Sequence, residues 1–64
     1  MTLHIWYRGK EDDAVALDLN IASAGAAATA IAGIATAGFY TYTDPVTSTV
    51  AFIPWHSITY IDLE

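Results

Sequence analysis

Residues 21–39 read IASAGAAATAIAGIATAGF, and this stretch decides how the chain folds. Alanine has the highest intrinsic helix propensity and occupies many of these positions. Asn20 or Ser23 can begin a helix there, because each side chain can accept a bond from a free backbone N–H group. Gly38 can take the left-handed conformation that ends a helix. We therefore expect one helix that runs to about Ala37.

The end of this helix also predicts how the next segment begins. With Gly38 in the left-handed conformation, a Schellman-type closure would bring Phe39 back against Ile34. We therefore expect Phe39 to open a strand directly after the helix.

The two sides of the predicted helix differ in size. Because successive residues of a helix are rotated by about 100°, one broad stripe of apolar side chains lies on a single side and is suited to packing on a sheet. Its members are Ile21, Ala24, Ala28, Ile31, Ile34 and Ala35. The opposite face carries Ala22, Gly25, Ala26, Thr29, Gly33 and Thr36. The four-residue spacing of Gly25, Thr29 and Gly33 forms a flat ridge that lets another backbone approach closely. The alternative is an outer face that meets only water, since Ala and Thr expose little apolar area.

No charged residue lies between Asp18 and Asp44. A helix without a charged face usually packs on more than one side, and a chain of 64 residues has little material to cover it. A homo-oligomer is the simplest explanation. A membrane span is less favoured, because the segment has few strongly apolar residues and no flanking lysine or arginine.

The segments on either side alternate in the manner of strands. Residues 2–8 place Leu3, Ile5 and Tyr7 on one face, and residues 14–20 form a first hairpin with them. Residues 39–43 and 47–53 predict an antiparallel pair, which ends at Pro54. A tight corner at Trp55 and His56 then leads into a last strand, residues 57–63, with Ile58 and Tyr60 opposite Thr59 and Ile61. The fold class is therefore α+β, a small antiparallel sheet with one helix packed on it, in the order β-β-α-β-β-β over residues 1–64.

The composition excludes several kinds of function. The net charge of −5 includes only two basic residues, Arg8 and Lys10, so we expect no nucleic-acid partner. Cysteine is absent, which excludes disulfides, and only two histidines remain as nitrogen ligands. We therefore predict no structural metal and no cofactor. No basic and apolar leader opens the sequence, so we expect a cytoplasmic protein.

Few residues have the chemistry for catalysis. His4 and His56 could form a proton-transfer pair or bind a metal, but no acidic residue lies at motif spacing, so we expect a strand-edge and a corner residue. The acidic run of residues 11–13 fits a solvated hairpin tip better than a calcium loop. No serine lies in a nucleophile motif. We therefore predict that the protein is not an enzyme.

The C-terminal segment FIPWHSITYIDL resembles the closing strand, corner and strand of Sm-like small barrels. Within it, WHSIT is similar to the KHAIS element of bacterial Sm-like RNA chaperones. That resemblance implies rings formed through the last two strands, and it would assign RNA contacts to His56 and Ser57. The segment also resembles small uncharacterised proteins of bacteriophages and their hosts, which implies no activity.

Three functional hypotheses follow from these patterns. The first is a non-enzymatic module that self-associates and binds another macromolecule, with a protein as the partner. The second is an acidic, phage-type inhibitor of a host enzyme or defence complex, whose carboxylates meet a basic groove. The third is a small-molecule binder with an aromatic-lined site between subunits. The predicted interface residues are Gly25, Thr29, Gly33, Thr36, Trp6, Trp55, His56, Tyr40 and Tyr42.

Overall fold

Five strands and one helix follow one another in a computed structural model that describes all 64 residues. The elements are β1 (Thr2–Arg8), β2 (Ala14–Asn20), α1 (Ala24–Ala37), β3 (Phe39–Thr43), β4 (Val50–Pro54), a 3₁₀ turn (Trp55–Ser57) and β5 (Ile58–Leu63). The predicted α+β class and the order β-β-α-β-β-β are confirmed.

The strands divide between two antiparallel sheets. The first has the order β2-β1-β5, and the second is the β3–β4 hairpin. Ile5 in the central strand lies opposite Leu17 on one side and Ile61 on the other. The alternation of apolar and polar residues therefore gives the three-stranded sheet one apolar face, on which α1 packs.

The hydrophobic core is small. Only five residues are buried, and Leu3 and Ile5 are the most enclosed, each 1% exposed. These two contact Ala27 and Ile34 of α1 in one cluster, while the fifth buried residue, Ile53, belongs to the hairpin. A chain of this length buries a modest share of its surface, so the stability of one copy depends on few contacts.

The packed side of α1 differs from the predicted stripe. Ala27 and Ile34 are buried and Ala30 and Ile31 half-buried, a spacing of three, four and seven residues from Ala27. Three members of the predicted stripe are exposed instead: Ala24, Ala28 and Ala35. Alanine recurs around the whole helix, so the isoleucines alone carry a register signal. The prediction was therefore wrong for these three alanines.

Ser23, one of the two predicted N-caps, and Gly38 cap the ends of α1, whereas Asn20 is the last residue of β2. The Ser23 hydroxyl oxygen accepts a bond from the Ala26 N–H at 3.1 Å. At the other end Gly38 is left-handed, with φ 89°, and its N–H donates to the Ile34 carbonyl at 2.8 Å. This single bond is the simpler αL closure, so the predicted Schellman closure was wrong. The prediction that Phe39 opens a strand directly after the helix is confirmed, and its side chain is exposed.

A β-bulge shifts the faces of β5. Tyr7 of β1 lies opposite Ile58 and Trp6 lies opposite Tyr60, so Thr59 is an extra residue in the ladder. The Thr59 hydroxyl donates to the Trp6 carbonyl at 3.2 Å. Ile58 therefore packs on the core side while Tyr60 is exposed. The predicted strict alternation of this strand was wrong, because a bulge moves every later side chain to the other face.

The helix has 14 residues. No helix in the structure combines the length and the apolar character that crossing a membrane requires.

Candidate interaction surfaces

The side of α1 that faces away from the sheet is a smooth, uncharged surface. We call Gly25, Thr29, Gly33 and Thr36 the helix ridge; all four are exposed. The Thr29 hydroxyl donates to the Gly25 carbonyl at 3.1 Å, so it is satisfied within the helix. Neither end of α1 carries an acidic or basic residue in its terminal turn. Covering this ridge would therefore desolvate few polar groups and no charge.

The fold of one chain gives no steric reason for the glycines of the ridge. A Cβ atom placed on Gly33 would meet no atom within 4 Å, and one on Gly25 would meet only the Ser23 hydroxyl oxygen, at 3.8 Å. Glycine inside a helix costs about 1 kcal/mol relative to alanine. The ridge is thus kept narrow at two positions where the chain itself has space for a side chain.

The predicted aromatic interface residues lie in different places. Trp6 is exposed on the outer face of the three-stranded sheet, beside the exposed Tyr60 of β5. Trp55 and His56 lie on the surface in the 3₁₀ turn. These three side chains therefore lie on other elements than the helix ridge.

The two tyrosines of β3 are less accessible. Tyr40 and Tyr42 are both half-buried on the inner face of the hairpin. Tyr40 lies opposite the buried Ile53 and packs against the core cluster. Its ring therefore helps to attach the hairpin to the rest of the molecule.

A charged cluster that the sequence pattern did not reveal lies on the outer face of the three-stranded sheet. His4 Nδ1 is 2.7 Å from Asp18 Oδ1, and His4 Nε2 is 3.4 Å from Glu64 Oε2. Asp62 lies directly opposite His4 on β5. When the imidazole is protonated, both ring nitrogens can donate to these carboxylate oxygens. Across the whole chain no group of three or more potential ligands is arranged to hold a metal ion.

The carboxylates raise the pKa of His4 above its ordinary value. The bond to Asp18 contributes most and the bond to Glu64 less, while partial desolvation acts in the opposite direction. The contacting residues are 14 and 60 positions apart in the sequence, so no local motif predicts these contacts. The signal that could have found them is the pairing of His4 with Asp18, which the register of the first hairpin sets.

The outer face of the β3–β4 hairpin carries several exposed apolar side chains beside two threonines. Phe39 and Phe52 meet edge to face, with ring centroids 5.8 Å apart. Phe52 is 65% exposed, and Val50 on the same face is also exposed. Alternation in the sequence places these residues together, but it does not tell which face of a hairpin turns inward.

A cleft of about 450 Å³ separates β4 from the end of the first hairpin. Its walls are Tyr7, Arg8, Gly9, Lys10 and Val15 on one side and Ala51, Phe52, Ile53 and Pro54 on the other. Both basic residues of the chain therefore lie at this cleft.

The comparisons with known proteins gave no match: no protein-family model, no curated protein and no solved structure is similar to this chain.

Proposed function

We propose that this protein is a non-enzymatic interaction module whose copies associate through the helix ridge and which binds a further macromolecule. The observation that carries the proposal is the ridge itself: Gly25, Thr29, Gly33 and Thr36 are exposed and uncharged. Its two glycines have space for a side chain within their own chain. Narrow ridges of this kind let two helix backbones approach closely and gain dispersion contacts.

The charge distribution supports a second copy as the occupant of the ridge. Each copy carries a net charge of −5, so two copies repel wherever their carboxylates meet. The segment from Leu19 to Thr43 contains no charge, and α1 lies within it. Contact between two ridges would bring no carboxylate directly against another, and a two-fold arrangement would place the same residues on both sides.

The exposed apolar area also supports association. Trp6, Phe39, Val50, Phe52 and Tyr60 are exposed large side chains, while only five residues in the whole chain are buried. Monomeric proteins rarely leave large contiguous apolar patches in water. Partners on these surfaces would supply the burial that one copy lacks.

The mass in solution tests the proposal. Size-exclusion chromatography with light scattering should give an oligomer whose mass is the same at low and high salt, because the ridge carries no charge. Gly33→Leu should yield the monomer, since the added side chain would hold two ridges apart. Ala28 is an exposed position of α1 outside the ridge, so Ala28→Leu is the matched control and should retain the oligomer.

Two results would contradict the proposal. A wild-type monomer at all concentrations would remove self-association. An oligomer that persists in Gly33→Leu would place the interface elsewhere on the molecule. Salt-sensitive capture of a basic partner is a separate outcome and would favour the acidic inhibitor.

A further inference from the structure

The backbone of β4 has an open side, which borders the cleft at Phe52 and Pro54. Trp55 N–H donates to the Gly38 carbonyl, and Asp44 N–H donates to the Thr49 carbonyl. In an antiparallel pair, residues bonded to the partner strand alternate with residues that point away from it. The two bonds fix this alternation, so Val50, Phe52 and Pro54 direct their backbone groups away from β3.

The only protective features of this open edge are its short length and the proline at its end. Strand edges are commonly blocked by charged side chains or by bulges. The edge strand β2 carries Asp18, and the edge strand β5 carries Asp62 and the bulge at Thr59. By contrast β4 reads VAFIP, with no charge, and only Pro54 at its end lacks an N–H donor. The N–H groups of Val50 and Phe52 remain available to an added strand.

The opposite wall of the cleft supplies positive charge. Pairing of β1 with β5 ends at Tyr7, so Arg8, Gly9 and Lys10 line the cleft without a β5 neighbour. Arg8 contacts Asp12 at 3.2 Å, but both side chains are mostly exposed. Exposed ion pairs contribute little, so a carboxylate of a ligand can replace Asp12 at low cost. Lys10 makes no ion pair in the structure.

We infer that the cleft is a peptide-binding site, in which an extended acidic segment of a partner protein adds to the open edge of β4. The peptide backbone bonds to Val50 and Phe52, an apolar residue of the peptide packs against Phe52 and Val15, and a peptide carboxylate pairs with Arg8 or Lys10. This inference rests on the proposed function in one respect, since it names the macromolecule class that the module binds.

Fluorescence anisotropy with synthetic peptides tests the site. The probe is a fluorescein-labelled peptide of alternating valine and threonine that ends in two aspartates. Its first control replaces the aspartates by lysines, and its second carries N-methyl groups on alternate amides. We expect the acidic peptide to bind about threefold more tightly than the lysine control, because pairing with the exposed Arg8 and Lys10 contributes little. We expect it to bind about tenfold more tightly than the N-methylated control, which lacks the edge bonds.

Variants of the protein separate the parts of the site. Phe52→Ala removes the ring alone, whereas Phe52→Pro also removes the outward N–H while the bonds from β4 to β3 stay in place. We expect Phe52→Pro to bind about tenfold more weakly than Phe52→Ala. Arg8→Gln combined with Lys10→Gln should abolish the preference for the acidic peptide. Circular dichroism shows whether each variant is folded, and the N-methylated peptide tests the edge should Phe52→Pro not fold.

The outcomes distinguish this inference from self-association. Equal binding of the acidic, basic and N-methylated peptides, or no binding of any, would overturn the peptide site whatever the mass in solution. A mass that falls in Phe52→Pro would overturn it as well, because a second copy would then occupy the edge. Gly33→Leu should bind the acidic peptide as the wild type does, even where it is monomeric.

Discussion

His4 is the residue whose protonation the fold controls most directly. Its ring lies within hydrogen-bond distance of Asp18 on the neighbouring strand β2 and of Glu64, the residue after β5. The alternation of the strand predicts only that His4 is a polar residue on the outer face. Its carboxylate partners became visible once the register of the sheet was known, because they come from distant parts of the chain.

Stability should fall as the pH rises through the range in which His4 loses its proton. The pKa of His4 is raised in the folded state, so its stabilising effect is complete below the unfolded pKa of about 6.5 and is lost as the pH passes the higher folded pKa. We expect the urea midpoint of the wild type to decrease as the pH rises from about 6.5 through the higher pKa of the folded state. His4→Gln should remove most of this decrease, as measured by tryptophan fluorescence.

His56 provides the control for this prediction. It is exposed in the 3₁₀ turn, and its ring makes no hydrogen bond in the structure. The pH dependence of His56→Gln should therefore match that of the wild type. A slope that survives in His4→Gln would show that other groups produce it.

Helix α1 shows what local sequence signals can and cannot fix. Ser23 and Gly38 determined its ends, because capping depends on chemistry within a few residues. Its rotation about its own axis was predicted only in part. Alanine at position 27 and alanine at position 28 are locally equivalent, and the sheet buries the first.

Substitution of Gly38 tests the C-terminal end of α1. A Cβ at this position would meet no atom within 4 Å, so the cost of Gly38→Ala comes from the left-handed backbone alone. We expect a loss of about 1 kcal/mol in the free energy of unfolding. Gly38→Asn is the matched variant and should lose less, since asparagine tolerates this conformation better. Equal losses in urea denaturation would contradict this explanation.

Strand β5 shows the opposite case, in which tertiary contacts overrode a local pattern. Alternation predicts Ile58 and Tyr60 on one face, but the bulge at Thr59 separates them. The bulge keeps both Ile58 and Ile61 against the core. Nothing in the ITYI sequence fixes this choice, because the gain comes from apolar area buried against β1 and α1.

For the whole molecule, the proposed self-association would add buried apolar area to a core of only five buried residues. Association of folded copies stabilises the folded state by mass action. We therefore expect the unfolding temperature to rise as the protein concentration is raised from about 10 µM to about 1 mM. Scanning calorimetry would measure this, and Gly33→Leu should show no such rise. A wild-type temperature independent of concentration would contradict assembly through the helix ridge.

The sequence by itself determined the order of the elements, the helix ends, the alternation of the first hairpin and the absence of charge along α1. These features depend on backbone preferences and side-chain period, which act over a few residues. Only the tertiary structure decided the division into two sheets, the cluster around His4, the bulge at Thr59 and the cleft between β4 and Arg8. Each of these depends on contacts between residues far apart in the chain, whose energies a local pattern does not contain.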